Sequence, residues 1–330
     1  MECRKFASNS IRGGEDRVVL YDIIKGIGIM LMVLGHTCGQ PLYNWIYSFH
    51  MPLFFIVSGL FFSPNKYQFK AFVRKRFKQL VIPLFIFTTF IIGIASIFIP
   101  EQNIVGNLGR GILPGALWFL FVLFVVQVFY CLFIKCLKGN IWALLFIVFI
   151  SVFAGSWLKI CSYRTNFLYV GTIFSAFPFY ALANLFGLNI IKIIHMQINN
   201  LKLWVLAAIC LLFPLVVVLY TCRTMSLWNN EVPSPVMLYY MIACVGSFGI
   251  FFLSKAIESS NKHIVSILSF LGKNTLPIVA LNQLIIDLST KYISCDSHVC
   301  FKMLQQVLIW SICLLVIKFC NCHFRLAVGK

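Results

Sequence analysis

Long uninterrupted apolar runs constrain this chain more than any other feature. Leu80 to Ile99, Ala143 to Leu158 and Leu203 to Tyr220 contain no charged residue and do not alternate between apolar and polar positions. A helix needs roughly 20 apolar residues to cross about 30 Å of hydrocarbon, whereas the strands of a membrane barrel alternate over about 10. The runs therefore specify helices. With 61% of 330 residues apolar, 11% charged and a mean hydropathy of +0.92, the composition excludes a soluble enzyme, a secreted domain and a disordered protein. The expected fold class is all-α, a polytopic transmembrane helix bundle. Ten spans are expected, at 18–38, 45–62, 80–99, 115–134, 141–158, 167–188, 203–221, 236–254, 265–287 and 303–320. They form one membrane domain over 18–320, between an N-tail of 1–17 and a C-tail of 321–330. The segment Val18 to Cys38 is too long for a signal-peptide core and is followed by no small-residue cleavage site, so it counts as the first helix.

The net charge of +18 resembles a nucleic-acid signal until its location is considered. Nineteen of the 27 basic residues fall on one side of the expected membrane, including Arg4, Arg17, Lys66, Arg74, Lys75 and Arg76, and six on the other. By the positive-inside rule this split puts both termini in the cytoplasm, and the excess serves topology and anionic lipids. No nucleic-acid partner is expected. The thirteen cysteines are not a disulfide framework, because many lie in apolar spans, where Cys behaves as a small hydrophobe. Cys295 and Cys300 share one external loop and are a candidate local pair. His298 between them does not make a convincing metal site, and no metal is expected.

The chemistry concentrates in residues 17–62. Ionisable groups inside a span are costly and normally face a cavity or the bundle interior. Asp22, Lys25 and His36 form one stripe along the first helix, since eleven residues at 100° each bring Lys25 and His36 to within about 20° of one face. His36 lies about 16 Å above Lys25 by helical rise. Lys25 also fits snorkelling to the headgroups, and Asp22 fits a simple ion pair with it. Gly28 and Gly35 leave room for a close neighbouring helix. The second helix opens with Asn44, Trp45, Tyr47, Ser48 and His50, and the short linker from Gly39 to Tyr43 brings His50 near the level of His36. Two imidazoles at one depth suit proton transfer. Trp45 and Tyr47 also fit an interfacial aromatic belt. Pro52 is expected near the helix start, where its missing N–H matters little.

The run from Tyr21 through Lys25 and His36 to Thr37, followed by Ser48-Phe49-His50-Met51-Pro52 up to Gly59, resembles the acyltransferase-3 family of membrane O-acyltransferases, nearest to its fucose 4-O-acetylase-like branch. Phe72-Val73-Arg74-Lys75-Arg76 leading to Pro83, Leu117-Trp118-Phe119-Leu120, and Leu271 to Leu276 extend the resemblance over nearly the whole chain. It implies transfer of an acetyl group from cytoplasmic acetyl-CoA to a sugar hydroxyl of an envelope or exported polysaccharide, in a bacterial inner membrane. The acceptor is then a glycan or lipid-linked sugar, with membrane lipids as further partners. His36 matches the family's helix-1 histidine, taken as catalytic, and Lys25 stands where the family has arginine. That departure keeps the charge and loses bidentate phosphate recognition. Asn282 stands where many members have histidine. His50 is assigned a proton-relay or orienting role. Lys25, Arg74 and Arg76 are assigned to the CoA phosphates, and Asp22, Asn44 and Trp118 to the acceptor. The rival is a proton-coupled transporter or flippase of a polysaccharide pathway, for which an intramembrane Lys and paired His also suit. Against it, no paired halves with matching broken helices are visible in the sequence.

Overall fold

The computed structural model describes residues 15–64, 66–161, 167–221, 223–293 and 298–324. Among the described residues the secondary structure is helical, without strands, and a single isolated bridge joins Ser226 to Glu231. In chain order the helices are α1 (Glu15–Thr37), α2 (Leu42–Leu60), α3 (Phe69–Arg76), α4 (Ile82–Phe98), α5 (Ile104–Gly109), α6 (Trp118–Cys136) and α7 (Ile141–Cys161). They continue as α8 (Val170–Leu185), α9 (Gly187–His195), α10 (Asn200–Thr221), α11 (Val236–Glu258), α12 (Lys262–Lys273), α13 (Thr275–Tyr292) and α14 (His298–His323).

Seven helical stretches among the described residues are long and apolar enough to cross a membrane, and up to nine if each of two bent pairs counts as one span. Ile97, Trp142 and Leu315 turn large apolar surfaces outward, as lipid requires. The chain is a multi-pass membrane protein. The expected second span is present as α2 but is not among those seven. It is too polar for a lipid-facing helix, and Asn44, Ser48 and His50 are buried inside the bundle. Pro52 lies in the middle of α2 rather than near its start.

Two expected spans are broken. The run expected at 167–188 is α8 and α9, which meet at 72°, and the run expected at 265–287 is α12 and α13, which meet at 78°. At the second break the Asn274 side chain replaces helical bonds. Its amide donates to the Phe270 carbonyl at 2.8 Å, and its Oδ1 accepts from Asn321 of α14 at 2.9 Å. Pro277 then sits in the first turn of α13, where a missing N–H leaves no bond unmade. Broken helices are therefore part of this fold, which the sequence reading did not expect. The basic stretch between the expected spans 45–62 and 80–99 is not a plain loop. From Phe69 it is helical, and α3 runs through a π-helical turn, Phe77–Val81, into α4 as one 30-residue stretch.

Close approach of α1 to its neighbours organises the bundle. A Cβ on Gly26 would strike the Leu268 carbonyl of α12, and one on Gly272 would strike the Asp22 carbonyl of α1, so this crossing tolerates glycine alone on each side. Gly28 and Gly35 admit Phe54 and Tyr47 of α2, as their spacing suggested. At the His36 end, Gln306 of α14 donates to Thr37 Oγ1 at 2.5 Å.

Candidate active site

A cavity of about 480 Å³ opens at the His36 end of α1. Its walls come from α1, α2 and α13, from the connector between α4 and α6, and from Leu227 and Trp228. The connector holds its shape through Gly115, whose φ of +57° excludes most side chains and lets the backbone lie against Gln283. The 227–228 segment is tied down from α8 and α7. Thr172 Oγ1 donates to the Leu227 carbonyl at 2.9 Å, Ser175 Oγ to Asn230 Oδ1 at 2.6 Å, and Asn230 Nδ2 to the Gly155 carbonyl at 2.8 Å. The cavity is thus framed by rigid elements.

His36 and His50 both line it, with Tyr47 between them. The Tyr47 hydroxyl lies 3.0 Å from His36 Nδ1 and 3.3 Å from Nε2, and its ring stands edge-on to His50 at 4.7 Å between centroids. Tyr43 stacks on Tyr47 at 4.0 Å. His50 Nδ1 is 2.9 Å from the Ile46 carbonyl. A carbonyl only accepts, so Nδ1 carries the proton and Nε2 of the neutral ring is the basic nitrogen. The site therefore holds one imidazole oriented by a phenol and a second whose tautomer is set by the backbone.

Of the residues singled out in the sequence, His36, His50 and Trp118 meet at this cavity. Trp118 is buried at the start of α6, tilted against Tyr169 at 6.1 Å. Asp22 and Asn44, expected to contact the acceptor, lie off the cavity. Asp22 forms a 2.6 Å ion pair with Lys25, and Asn44 accepts from Gln40 at 3.1 Å. Trp45 is half-buried and donates to the Leu211 carbonyl at 2.9 Å, joining α2 to α10. On α3, Arg74 is exposed, whereas Arg76 is half-buried, lies over the Phe72 ring and donates to Gln79 at 3.1 Å. Arg76 Nε is buried without a hydrogen-bond partner. Asn282 is buried, with its amide 3.8 Å from Met32 Sδ and its Oδ1 unpartnered. The candidate Cys295–Cys300 pair cannot be placed, because Cys295 lies outside the described residues.

The sequence reading passed over Tyr43, Gln283, Asp287 and Trp228, all on the lining. Asp287 offered a usable signal, since it is a carboxylate at the end of an expected span. Tyr47 looked like an interfacial aromatic, and only the His36 contact assigns it to the site.

An acyltransferase domain family matches residues 19–320, nearly the full length of the chain. The chain belongs to the acyltransferase-3 family. It is thus a multi-pass membrane protein of an acyltransferase family, and the histidine-lined cavity is its candidate active site. Among curated proteins, the nodulation protein NolL of Sinorhizobium fredii is 36% identical over 86 residues, 22% of this chain and 24% of the relative. NolL of Mesorhizobium japonicum is 29% identical over 132 residues, covering 34% of this chain and 35% of the relative. The alignments span about a quarter to a third of those proteins. No solved structure matches the chain.

Proposed function

We propose that this acyltransferase moves an acetyl group from cytoplasmic acetyl-CoA to a sugar hydroxyl of an envelope or exported polysaccharide, working in a bacterial inner membrane with both termini in the cytoplasm. The observation that carries the reading is the joining of His36, Tyr47 and His50 with Trp118 and Trp228 in one cavity. Paired imidazoles supply proton transfer, and flat aromatic surfaces suit the faces of sugar rings.

His36 removes the proton from the acceptor hydroxyl as its oxygen attacks the thioester carbon. The new C–O bond forms, the C–S bond breaks, and the His36 imidazolium returns the proton to the departing thiolate. Tyr47 keeps the His36 ring in register, and His50 Nε2 takes up or relays a proton at the same level. At the opposite end of α1, Lys25 and the Arg74 and Arg76 turn meet the donor's phosphates. The buried, unpartnered Nε of Arg76 fits this role, because an orphaned cationic donor is expensive until an anion meets it.

Purified protein in nanodiscs, given acetyl-CoA labelled in the acetyl group and the glycan of the source envelope, should form an alkali-labile acetyl ester. Movement of glycan across the bilayer without ester formation would instead favour the carrier reading. Accessibility labelling of single cysteines at 66–78 and 289–293 tests the orientation, with the first range expected inside and the second outside.

A further inference from the structure

Within a protein of net charge +18, the cavity has an unexpected electrical character. Among the described residues that line it there is one carboxylate, Asp287, and no lysine or arginine. Asp287 accepts from the Gln283 amide at 2.8 Å, and Gln102 of the connector stands beside it, so its polar neighbours are uncharged. Lys291, one turn further along α13, is the natural counter-ion by spacing, yet its ammonium is committed elsewhere. It donates to Glu101 Oε2 and to the Phe98 carbonyl, each at 2.8 Å. Just off the lining, Lys302 acts at Cys38 and Glu231 at Tyr43, so the outlying charges oppose one another and leave Asp287 to set the sign.

We infer that this cavity is the acceptor's and that Asp287 restricts it to sugar units carrying no anionic group. The inference rests on the acetyl-transfer reading above and narrows its substrate class. A half-buried carboxylate on the cavity wall repels a uronate, a sialate or a phosphorylated sugar, and accepts hydroxyl hydrogen bonds from a neutral one. Gln283, Gln102 and Asn107 add amide partners for further hydroxyls, and Trp118 and Trp228 supply stacking faces. The same charge argues against the donor's polyphosphate head occupying this end, which agrees with its assignment to the basic end of α1.

The test uses a glycan that differs only in charge. A uronate-containing oligosaccharide and its carboxyl-reduced counterpart are compared with the full-length protein in nanodiscs, by quenching of tryptophan fluorescence and by acetyl-ester formation from acetyl-CoA. The reduced glycan should bind and be acetylated about tenfold better, the size expected of one like-charge contact at a partly buried site. In Asp287→Asn the ratio should fall below about threefold. Equal or tighter binding of the uronate form by the wild-type protein overturns the inference, as does an unchanged ratio in a folded Asp287→Asn. Charge discrimination in binding without any ester formation leaves the cavity assignment standing and overturns the acetyl-transfer reading instead, so the two failures are distinguishable.

Discussion

Replacing Lys25 by methionine is expected to act on stability and on donor binding together, and a double-mutant cycle with Asp22 separates the two. The ion pair measures 2.6 Å, with side-chain exposures of 29% for Lys25 and 6% for Asp22. Hydrogen bonds to charged groups contribute about 1.5–3 kcal/mol. Because water reaches Lys25, its loss should fall in the lower half of that range, about 1.5–2 kcal/mol. That loss comes from stranding the Asp22 carboxylate where α12 packs on α1, and it would appear as a lower midpoint in detergent-driven unfolding. Asp22→Asn combined with Lys25→Met leaves no lone charge and should recover most of the midpoint. Donor binding should behave differently. If Lys25 meets a CoA phosphate, the acetyl-CoA KM rises roughly ten- to hundred-fold in both Lys25→Met and the double variant, with kcat largely kept. Lys25→Arg should preserve both properties. The assay is steady-state acetyl transfer in nanodiscs with acetyl-CoA varied. A double variant that is stable and has the wild-type acetyl-CoA KM would show that Lys25 is the counter-ion of Asp22 and nothing more.

His36→Ala should lose about 10²- to 10⁴-fold in kcat while the protein still inserts and purifies normally; wild-type-level transfer would remove His36 from the reaction. Tyr47→Phe keeps the stacked ring and loses one hydrogen bond of about 0.5–1.5 kcal/mol, so kcat should fall roughly two- to thirteen-fold with both KM values unchanged. His50→Asn retains a donor for the Ile46 carbonyl and deletes Nε2, so a folded variant that keeps full activity would exclude proton transfer through Nε2. Gly272→Val drives a side chain into the Asp22 carbonyl and should lower stability by about 1–3 kcal/mol, measured by the same unfolding titration. Gly93→Ala, whose Cβ would meet open space, is the control and should leave the midpoint in place.

Much of this protein was legible because hydrocarbon leaves the backbone few options. A chain in lipid must satisfy its N–H and C=O groups within each segment, so length and apolarity alone identify membrane helices. Polar residues inside such segments are conspicuous for the same reason, which is how His36, His50 and the Asp22–Lys25 pair could be singled out from spacing on one or two helices. The two bends were not legible. Each bent pair is apolar enough on average to read as one span, and at Asn274 a tertiary contact adds to the break, a hydrogen bond to Asn321, 47 residues away. Tyr47 could be assigned to His36 rather than to a membrane interface only once α2 was seen packed against Gly35. Asp287 was visible as an intramembrane acid, but its meaning was not. Local sequence places Lys291 one turn away as a ready partner, and only the tertiary structure diverts that ammonium to Glu101 and leaves the carboxylate facing the cavity. Periodicity records what each helix does with its own backbone and which face it hides. Which charges meet across helices depends on packing between segments far apart in the chain, and that is where the character of this site is decided.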